Sequence, residues 1–268
     1  MLRTPSTFLA LALLSGFATA QVANTARSTT VVNAYGQEIT TVTASEFRIT
    51  PPMREWAPVI EAYDDHDRKE SHDGNRPLPP MKPLAEQDPP TIDAALQTVP
   101  ATRMLRSPLV SFNGQNGSGY PPDPTGAAGP TNYVQAVNTA FRVYTKTGTG
   151  VGTAHNLSSL WTGSADEGDP IVLYDRHADR WFISQFNSGP NRMLIAVSQT
   201  GDPTGAYYTW SFTFSQFPDY PKLSVWWDGY YMTSNSTKTA IVFEREAMLA
   251  GNANARMVAL SAPSALND

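Results

Sequence analysis

Asp219-Tyr220-Pro221-Lys222-Leu223-Ser224-Val225-Trp226-Trp227-Asp228-Gly229-Tyr230-Tyr231-Met232-Thr233-Ser234-Asn235 carries the pattern on which the fold assignment turns. Asp and Pro open it, a short apolar run follows, Asp228-Gly229 turns the chain, and an aromatic-headed run ends at Asn235. Asp-Gly between two such runs is a type I′ hairpin signal, because that turn needs positive φ at both central positions. The same succession occurs twice upstream. Asp123-Pro124 and Asp169-Pro170 open units 46 and 50 residues before the next opening. Tyr133, Trp181 and Tyr230 follow their openings by 10 to 12 residues, and their runs end at Asn138, Asn187 and Asn235. A further apolar run comes after each: 141–144, 193–197 and 240–243.

Outward from this repeat, β-branched and aromatic runs bounded by Gly, Pro, Asn and Asp predict strands. They fall at Tyr133–Val137, Phe141–Tyr144, Ile171–Tyr174, Trp181–Phe186 and Met193–Ser198. More are predicted at Tyr207–Phe214, Leu223–Trp226, Tyr230–Ser234 and Ala240–Phe243. The one good helix signal in this region is Arg245–Leu249. The fold class is therefore all-β. Several short strands per 45–50 residues is the period of β-propeller blades, each of which needs neighbours to bury its two faces. A β-sandwich with evenly spaced strands is the competing architecture. About three blades fit after Ser107, fewer than the usual four to eight, so the expectation is an incomplete propeller.

Residues 107–260 resemble a group of secreted bacterial proteins with propeller-type repeats. The residues that carry this are Pro122-Asp123-Pro124 to Gly129-Pro130, Asn138, Phe141, Tyr144, Lys146 and Gly148. Asp169-Pro170, Tyr174-Asp175, Arg180-Trp181, Ala196-Val197-Ser198, Asp202-Pro203 and Asp219-Tyr220-Pro221-Lys222 extend it. The resemblance implies a propeller and export, and transfers no catalytic residue. A second resemblance is to sialidase-type propellers, whose blades carry a Ser/Thr, Asp, Gly and aromatic turn motif. Thr200-Gly201-Asp202-Pro203-Thr204-Gly205-Ala206-Tyr207-Tyr208 looks like it, with one extra residue between Asp202 and Gly205. An Asp there bonds backbone N–H groups, so its role is structural. That family also holds a substrate carboxylate with an Arg in Phe-Arg-Ile-Pro. Phe47-Arg48-Ile49-Thr50-Pro51 is close, but Thr50 interrupts it and a proline-rich stretch follows.

Ahead of the repeats the texture differs. Residues 1–20 read as a signal peptide: Arg3 is the positive charge, Phe8–Leu14 the apolar run, and Ala18-Thr19-Ala20 the cleavage site before Gln21. That run is too short to span a bilayer, and no later one reaches the roughly 20 residues needed, so no transmembrane helix is expected in the mature fragment. Residues 21–106 read as a mostly irregular, disordered, proline-rich acidic linker or pro-segment. Residues 51–100 hold ten of the 22 prolines. A pair of short strands is allowed at Thr29–Val42 and a short helix at Ile92–Leu96. Residues 107–268 form the propeller-like domain. Between Glu55 and Asp88 nine acidic residues face four basic ones, which accounts for the net charge of -5 and leaves no basic stripe for nucleic acid. Zero cysteines in an exported chain exclude a disulfide framework and point to a bacterial extracellular or envelope location.

The candidate chemistry is sparse. Glycoside hydrolysis needs two carboxyl groups flanking the bond. Asp166, Glu167, Asp169, Asp175 and Asp219 are candidates, but Asp123, Asp169, Asp202 and Asp219 sit at repeated turn positions that give them structural roles. Asp166, Glu167 and Asp169 cluster as hard oxygen ligands that would suit Ca²⁺, without EF-hand spacing; no other cofactor is implied. His66, His72, His155 and His177 lack zinc spacing. No Gly-x-Ser-x-Gly elbow is present. Aromatics are dense, and neighbours on a strand point to opposite faces, so Trp226 and Trp227 cannot share one core. Trp226, Trp227, Tyr230 and Tyr231 are therefore the candidate ligand-binding residues. The reading is a secreted binding or adhesion module for glycan or extracellular protein, with a secreted glycan-active hydrolase of sialidase-like architecture as the alternative.

Overall fold

The computed structural model describes residues 21–23, 27–57, 108–116, 121–235 and 239–261. It is all-β, with three antiparallel sheets. The first sheet is a four-stranded meander of β5 (Thr125–Ala128), β6 (Asn132–Val137), β7 (Ala140–Thr145) and β8 (Gly150–Asn156). The second repeats that order with β9 (Ile171–Asp175), β10 (Arg180–Asn187), β11 (Arg192–Ser198) and β12 (Tyr207–Thr213). The third does so with β13 (Lys222–Val225), β14 (Tyr230–Thr233), β15 (Thr239–Phe243) and β16 (Arg256–Ser261). The one α-helix among the described residues, α1, covers Arg245–Leu249 between β15 and β16.

The repeat seen in the sequence has a backbone counterpart. Asp123, Asp169 and Tyr220, each just before a proline, have φ of 34°, 43° and 53°. Positive φ is uncommon for non-glycine residues, so its return at three matching positions marks one recurrent turn. In the third unit Tyr220, not Asp219, takes this conformation. The carbonyls of Pro122, Gly168 and Asp219, one residue earlier, accept from the N–H groups of Asn138, Phe186 and Asn235. Each opening is thus tied to the end of its own second strand. The residues 123–125, 169–171 and 220–222 line a single pocket of about 350 Å³. Behind it β5 and β13 both lie against β9.

The middle sheet is buried on both faces. Along β10 and β11, Trp181, Ile183, Leu194 and Ala196 pack with Val134, Ala136, Phe141 and Val143 of the first sheet. Their neighbours Phe182, Phe186, Met193, Ile195 and Val197 pack with Tyr230, Met232, Ile241, Phe243 and Met257 of the third. Such strands read as continuous apolar runs rather than as alternating ones. Trp181 and Trp210, each about 1% exposed, anchor the two cores and satisfy their indole N–H groups on the Gly201 and Asn252 carbonyls.

The largest departure from the sequence reading concerns residues 21–57. The segment read as mostly irregular contributes β1 (Gln21–Ala23), β2 (Ser28–Val32), β3 (Glu38–Thr43) and β4 (Glu46–Ile49). β4 extends the second sheet beyond β12 and pairs with β1, while β3 extends the third beyond β16 and pairs with β2. A 3-10 turn at Met53–Glu55 follows, held to the second sheet by Met53 N–H on the Gly205 carbonyl. The strand pair allowed at Thr29–Val42 corresponds to β2 and β3, while β1 and β4 are additional; β4 and β3 take the unpaired edges of the two meanders at β12 and β16. The expected helix at 92–96 and the signal peptide at 1–20 lie outside the described residues.

The hairpin at Asp228-Gly229 forms, but not as a type I′ turn. β13 and β14 pair, and Trp226 N–H bonds the Gly229 carbonyl at 3.0 Å, yet neither Asp228 nor Gly229 has positive φ. Gly229 is needed for space: a Cβ there would meet Val242 Cγ2 at 2.5 Å. Gly129 is constrained alike: a Cβ there would come within 2.6 Å of the Trp181 ring. Since Trp181 is packed and hydrogen-bonded, Gly129→Ala should cost about 1–3 kcal/mol by overpacking. Gly189→Ala, whose Cβ would find its nearest atom at 3.9 Å, should leave the urea midpoint almost unchanged. Chemical denaturation of both variants checks this.

Candidate functional site

The site is built around the loop that joins β13 to β14. β13 ends at Val225, so Trp226 and Trp227 lie in the loop instead of on a strand. The strand alternation that would send them to opposite faces does not reach them: both are exposed, at 53% and 62%. Tyr231 on β14 is 39% exposed and donates its hydroxyl to Asp228 Oδ1 at 3.1 Å. Partial burial and this acceptor both raise its pKa. The His177 ring meets Trp226 edge-on, with centroids 6.0 Å apart. Three large aromatic side chains, one carboxylate and one imidazole therefore gather at one solvent-facing edge.

Tyr230 is placed differently from the other three candidate aromatics. It is fully buried, its ring 4.9 Å from Phe182, and its hydroxyl donates to Asp175 Oδ2 at 3.0 Å. Burial, with the Asp175 charge, pushes its pKa up. Asp175, at the end of β9, is 0% exposed and is the centre of a network. Its Oδ1 accepts from the N–H groups of His177 and Ala178 at 3.1 and 3.2 Å, and from Arg245 Nη2 at 3.1 Å. Its Oδ2 also accepts from Arg245 Nε at 2.6 Å. Arg245 Nη1 in turn donates to the Trp227 carbonyl at 2.9 Å and to Glu246 Oε1 at 2.7 Å. The exposed hairpin is thus held from below by a buried ion pair.

Burial alone would raise the Asp175 carboxyl, but the bonds from Arg245 and Tyr230 and the guanidinium charge outweigh it. Its pKa is held below the ordinary 3.8. The hydrogen bonds to Asp175 likewise outweigh burial at Arg245 and raise its pKa.

The remaining sequence candidates are dispersed. Asp166 Oδ1 accepts from Ser158 N–H at 2.6 Å, Glu167 accepts from Ser188 N–H, and Asp169 N–H donates to Asn138 Oδ1 at 2.9 Å. Each is turned to a different loop, and among the described residues no group of three or more His, Cys, Asp or Glu is placed to hold a metal ion. Asp123 Oδ2 accepts from Asn138 Nδ2 at 2.8 Å, so Asn138 bridges the openings of the first two sheets. Asp202 Oδ1 accepts from both the N–H and the hydroxyl of Thr204, at 2.9 and 2.7 Å, which closes the turn between β11 and β12. The Asp219 carbonyl accepts from Asn235 N–H. Arg48 lies on β4 and donates from Nη1 to the Thr162 carbonyl at 2.7 Å. His155 is buried between Phe141 and Trp56, and burial lowers its pKa; His66 and His72 lie outside the described residues.

Sequence reasoning found the aromatic cluster but missed Arg245, which supports it. Arg245 looked like the first residue of a helix, and nothing local pairs it with an aspartate 70 residues earlier. Comparison of the chain with protein-family models, with curated proteins and with solved structures gives no match.

Arg245→Met removes one partner of a buried pair and strands the other charge, so it should lower stability by about 3–5 kcal/mol. The pH dependence follows from the depressed Asp175 carboxyl. The native state binds that proton more weakly than the unfolded chain. The stabilisation is complete above the ordinary carboxyl value and is lost as pH falls through the lower folded value. Urea midpoints of wild type and Asp175→Asn should differ most above about pH 5 and converge only as pH falls through the folded carboxyl value, below the ordinary 3.8.

Proposed function

We propose that this chain is a non-catalytic extracellular binding module, in which the three sheets are successive blades of a β-propeller and the Trp226–Tyr231 hairpin is the recognition surface. The observation that carries the reading is the pair of exposed tryptophans on a rigid support. Each is more than half exposed, yet the Trp227 carbonyl is fixed by a buried guanidinium. Large exposed aromatics that serve no core cost solubility, and aromatics on a preorganised base are what ligand surfaces use. Flat rings beside hydrogen-bonding groups suit sugar rings; Asp228 and His177 supply those groups here. An extracellular protein segment is the second kind of ligand this surface suits.

The propeller reading draws on the three four-stranded meanders, on the shared pocket lined by their matching openings, and on the middle sheet packed face to face with its two neighbours. Export rests on the residues 1–20 and the absence of cysteine. A hydrolase would need two carboxyl groups free to act on a glycosidic bond. Asp166, Glu167 and Asp175 instead spend their oxygens on backbone N–H groups, Arg245 and Tyr230. These roles favour binding over catalysis.

Pull-down of the full chain on insoluble cellulose, chitin, xylan and peptidoglycan tests the proposal. Retention on at least one polysaccharide should fall tenfold or more in Trp226→Ala/Trp227→Ala, with the thermal midpoint preserved because both side chains are exposed. Retention untouched by the double substitution would sink the hairpin as the recognition surface. Release of reducing sugar from any of the four would overturn the non-catalytic reading.

A further inference from the structure

The three sheets stack by one repeated relation, and that relation leaves two surfaces over. The second strand of each sheet carries a large aromatic ring near its start: Tyr133 on β6, Trp181 on β10 and Tyr230 on β14. Two of these rings seat on the preceding sheet. Trp181 closes over Gly129, just after β5, and Tyr230 packs on Phe182 and reaches Asp175 at the end of β9. Both are fully buried, one in each core. Tyr133 has no described sheet before it and is only half-buried. At the other end, the matching loop of the third sheet joins β13 to β14 and carries the exposed Trp226 and Trp227. The chain thus has one such ring without a sheet beneath it, and one such loop without a ring upon it.

Both surfaces are apolar. On the third sheet, the register aligns Tyr231, Val242 and Val258 across β14, β15 and β16. It aligns Leu260, Ile39 and Val31 across β16, β3 and β2. Their neighbours Met232, Ile241, Phe243 and Met257 face the second sheet, so strand alternation turns these six the other way. All six are exposed or half-buried, and none belongs to either core. On the outer face of the first sheet, the segment 108–116 forms a strap across Tyr133 and Tyr144. Its Phe112 ring lies 6.2 Å from the first and 5.3 Å from the second. Gln115 fixes the strap, donating its N–H to Gln135 Oε1 at 3.0 Å and its Nε2 to the Ala140 carbonyl at 2.7 Å. Leu109 is left fully exposed and Val110 about half exposed. Contiguous apolar surface of this kind marks an interaction site.

We infer that these surfaces are the two halves of one contact between copies of this chain, the first sheet of one copy seated on the third sheet of the other. The inference rests on the reading of the sheets as successive blades. A second copy is the occupant because the contact continues those inside the chain. There, first to second and second to third, an aromatic-bearing face is laid on the far face of the sheet before it. A further first sheet repeats that relation on the third. Its Tyr133 meets the hairpin from the sheet side, beside Tyr231, and its strap covers Val242 and Val258. A contact between unlike faces either closes into a ring or grows without end. Two copies bring six sheets, within the four to eight with which propellers close, so the product is a closed dimer with two equal contacts.

Sedimentation equilibrium of the full chain at micromolar concentration tests the inference and should read the mass of two chains. Val258→Glu on the third sheet and Leu109→Asp/Val110→Asp on the strap should each weaken association tenfold or more. Thermal midpoints should stay in place, since none of these side chains belongs to a core. Mixed in equal amounts, the two variants should associate more strongly than either alone, because one keeps an intact first sheet and the other an intact third. A chain that stays monomeric overturns the inference, as does a mixture that associates no more than its components. Any species larger than two overturns the closed ring. Two third sheets paired face to face would ignore the strap, so a dimer untouched by Leu109→Asp/Val110→Asp overturns both the inference and the blade order; a monomer leaves the blade order standing. Should Val258→Glu fail to fold, Leu260→Glu on the same face takes its place. The polysaccharide pull-down reads the hairpin separately. A monomer still retained through Trp226 and Trp227 fails this inference alone, and a dimer retained by no polysaccharide fails the recognition surface alone.

Discussion

Asp175 and Arg245 hold the second and third sheets in one arrangement. The apolar contacts between these sheets, such as Phe182 on Tyr230 and Phe212 on Phe243 at 4.9 Å, are non-directional and would tolerate sliding. An ion pair with side chains 0% and 5% exposed would not. Removing such charges from water costs several kcal/mol per ion, and their attraction offsets that only with good geometry and filled hydrogen-bonding capacity. Here the carboxylate receives two backbone N–H groups, two guanidinium N–H groups and a phenol. Any relative shift of the sheets would break several of these at once. The pair specifies placement more than it adds stability, and the hairpin above inherits that placement through the Trp227 carbonyl.

Sequence patterns captured the interior of the fold and lost its margins, for a physical reason. β10 and β11 are buried on both sides along nearly their whole length, so their apolar runs, Trp181–Ile183 and Met193–Val197, stand out. β5 is Thr-Gly-Ala-Ala, and β8 carries Gly150 and Gly152 with mostly exposed or half-exposed neighbours. Neither has the bulk by which a strand is recognised; they are strands because the adjacent edge offers hydrogen bonds. β3 and β4 follow the same logic from much further away in sequence. α1, by contrast, is short and local, and its bounds match the sequence reading residue for residue.

The candidate site was legible to the same degree. Its aromatics are conspicuous in one dimension, yet the alternation rule was carried one residue past the end of β13 and so misplaced the two tryptophans. Tyr230 and Tyr231 look alike in the sequence and do opposite things, one sealing the core and one facing solvent, as adjacent residues on a strand must. The acidic run 166–169 looked like a cation site because its carboxylates are neighbours in sequence, but Asp166 and Glu167 turn to the backbone N–H groups of Ser158 and Ser188, and the Asp169 backbone is tied to Asn138. Proximity along the chain counts for little where the backbone reverses direction every few residues.

The appended strands carry a consequence for how the molecule is made. β3 completes the third sheet only by pairing with β16, where Leu260 stands opposite Ile39, and β4 joins β12, where Ser211 stands opposite Glu46, both far later in the chain. Closing so long a loop has little to reward it until the acceptor edge exists, so neither strand can start the assembly. The first part of the described chain to be synthesised is therefore the last to find its place. Until then the two meanders present bare edges, while β2 and β3, close in sequence, can already pair with each other as a local hairpin. Order of synthesis and order of assembly run in opposite directions for these strands.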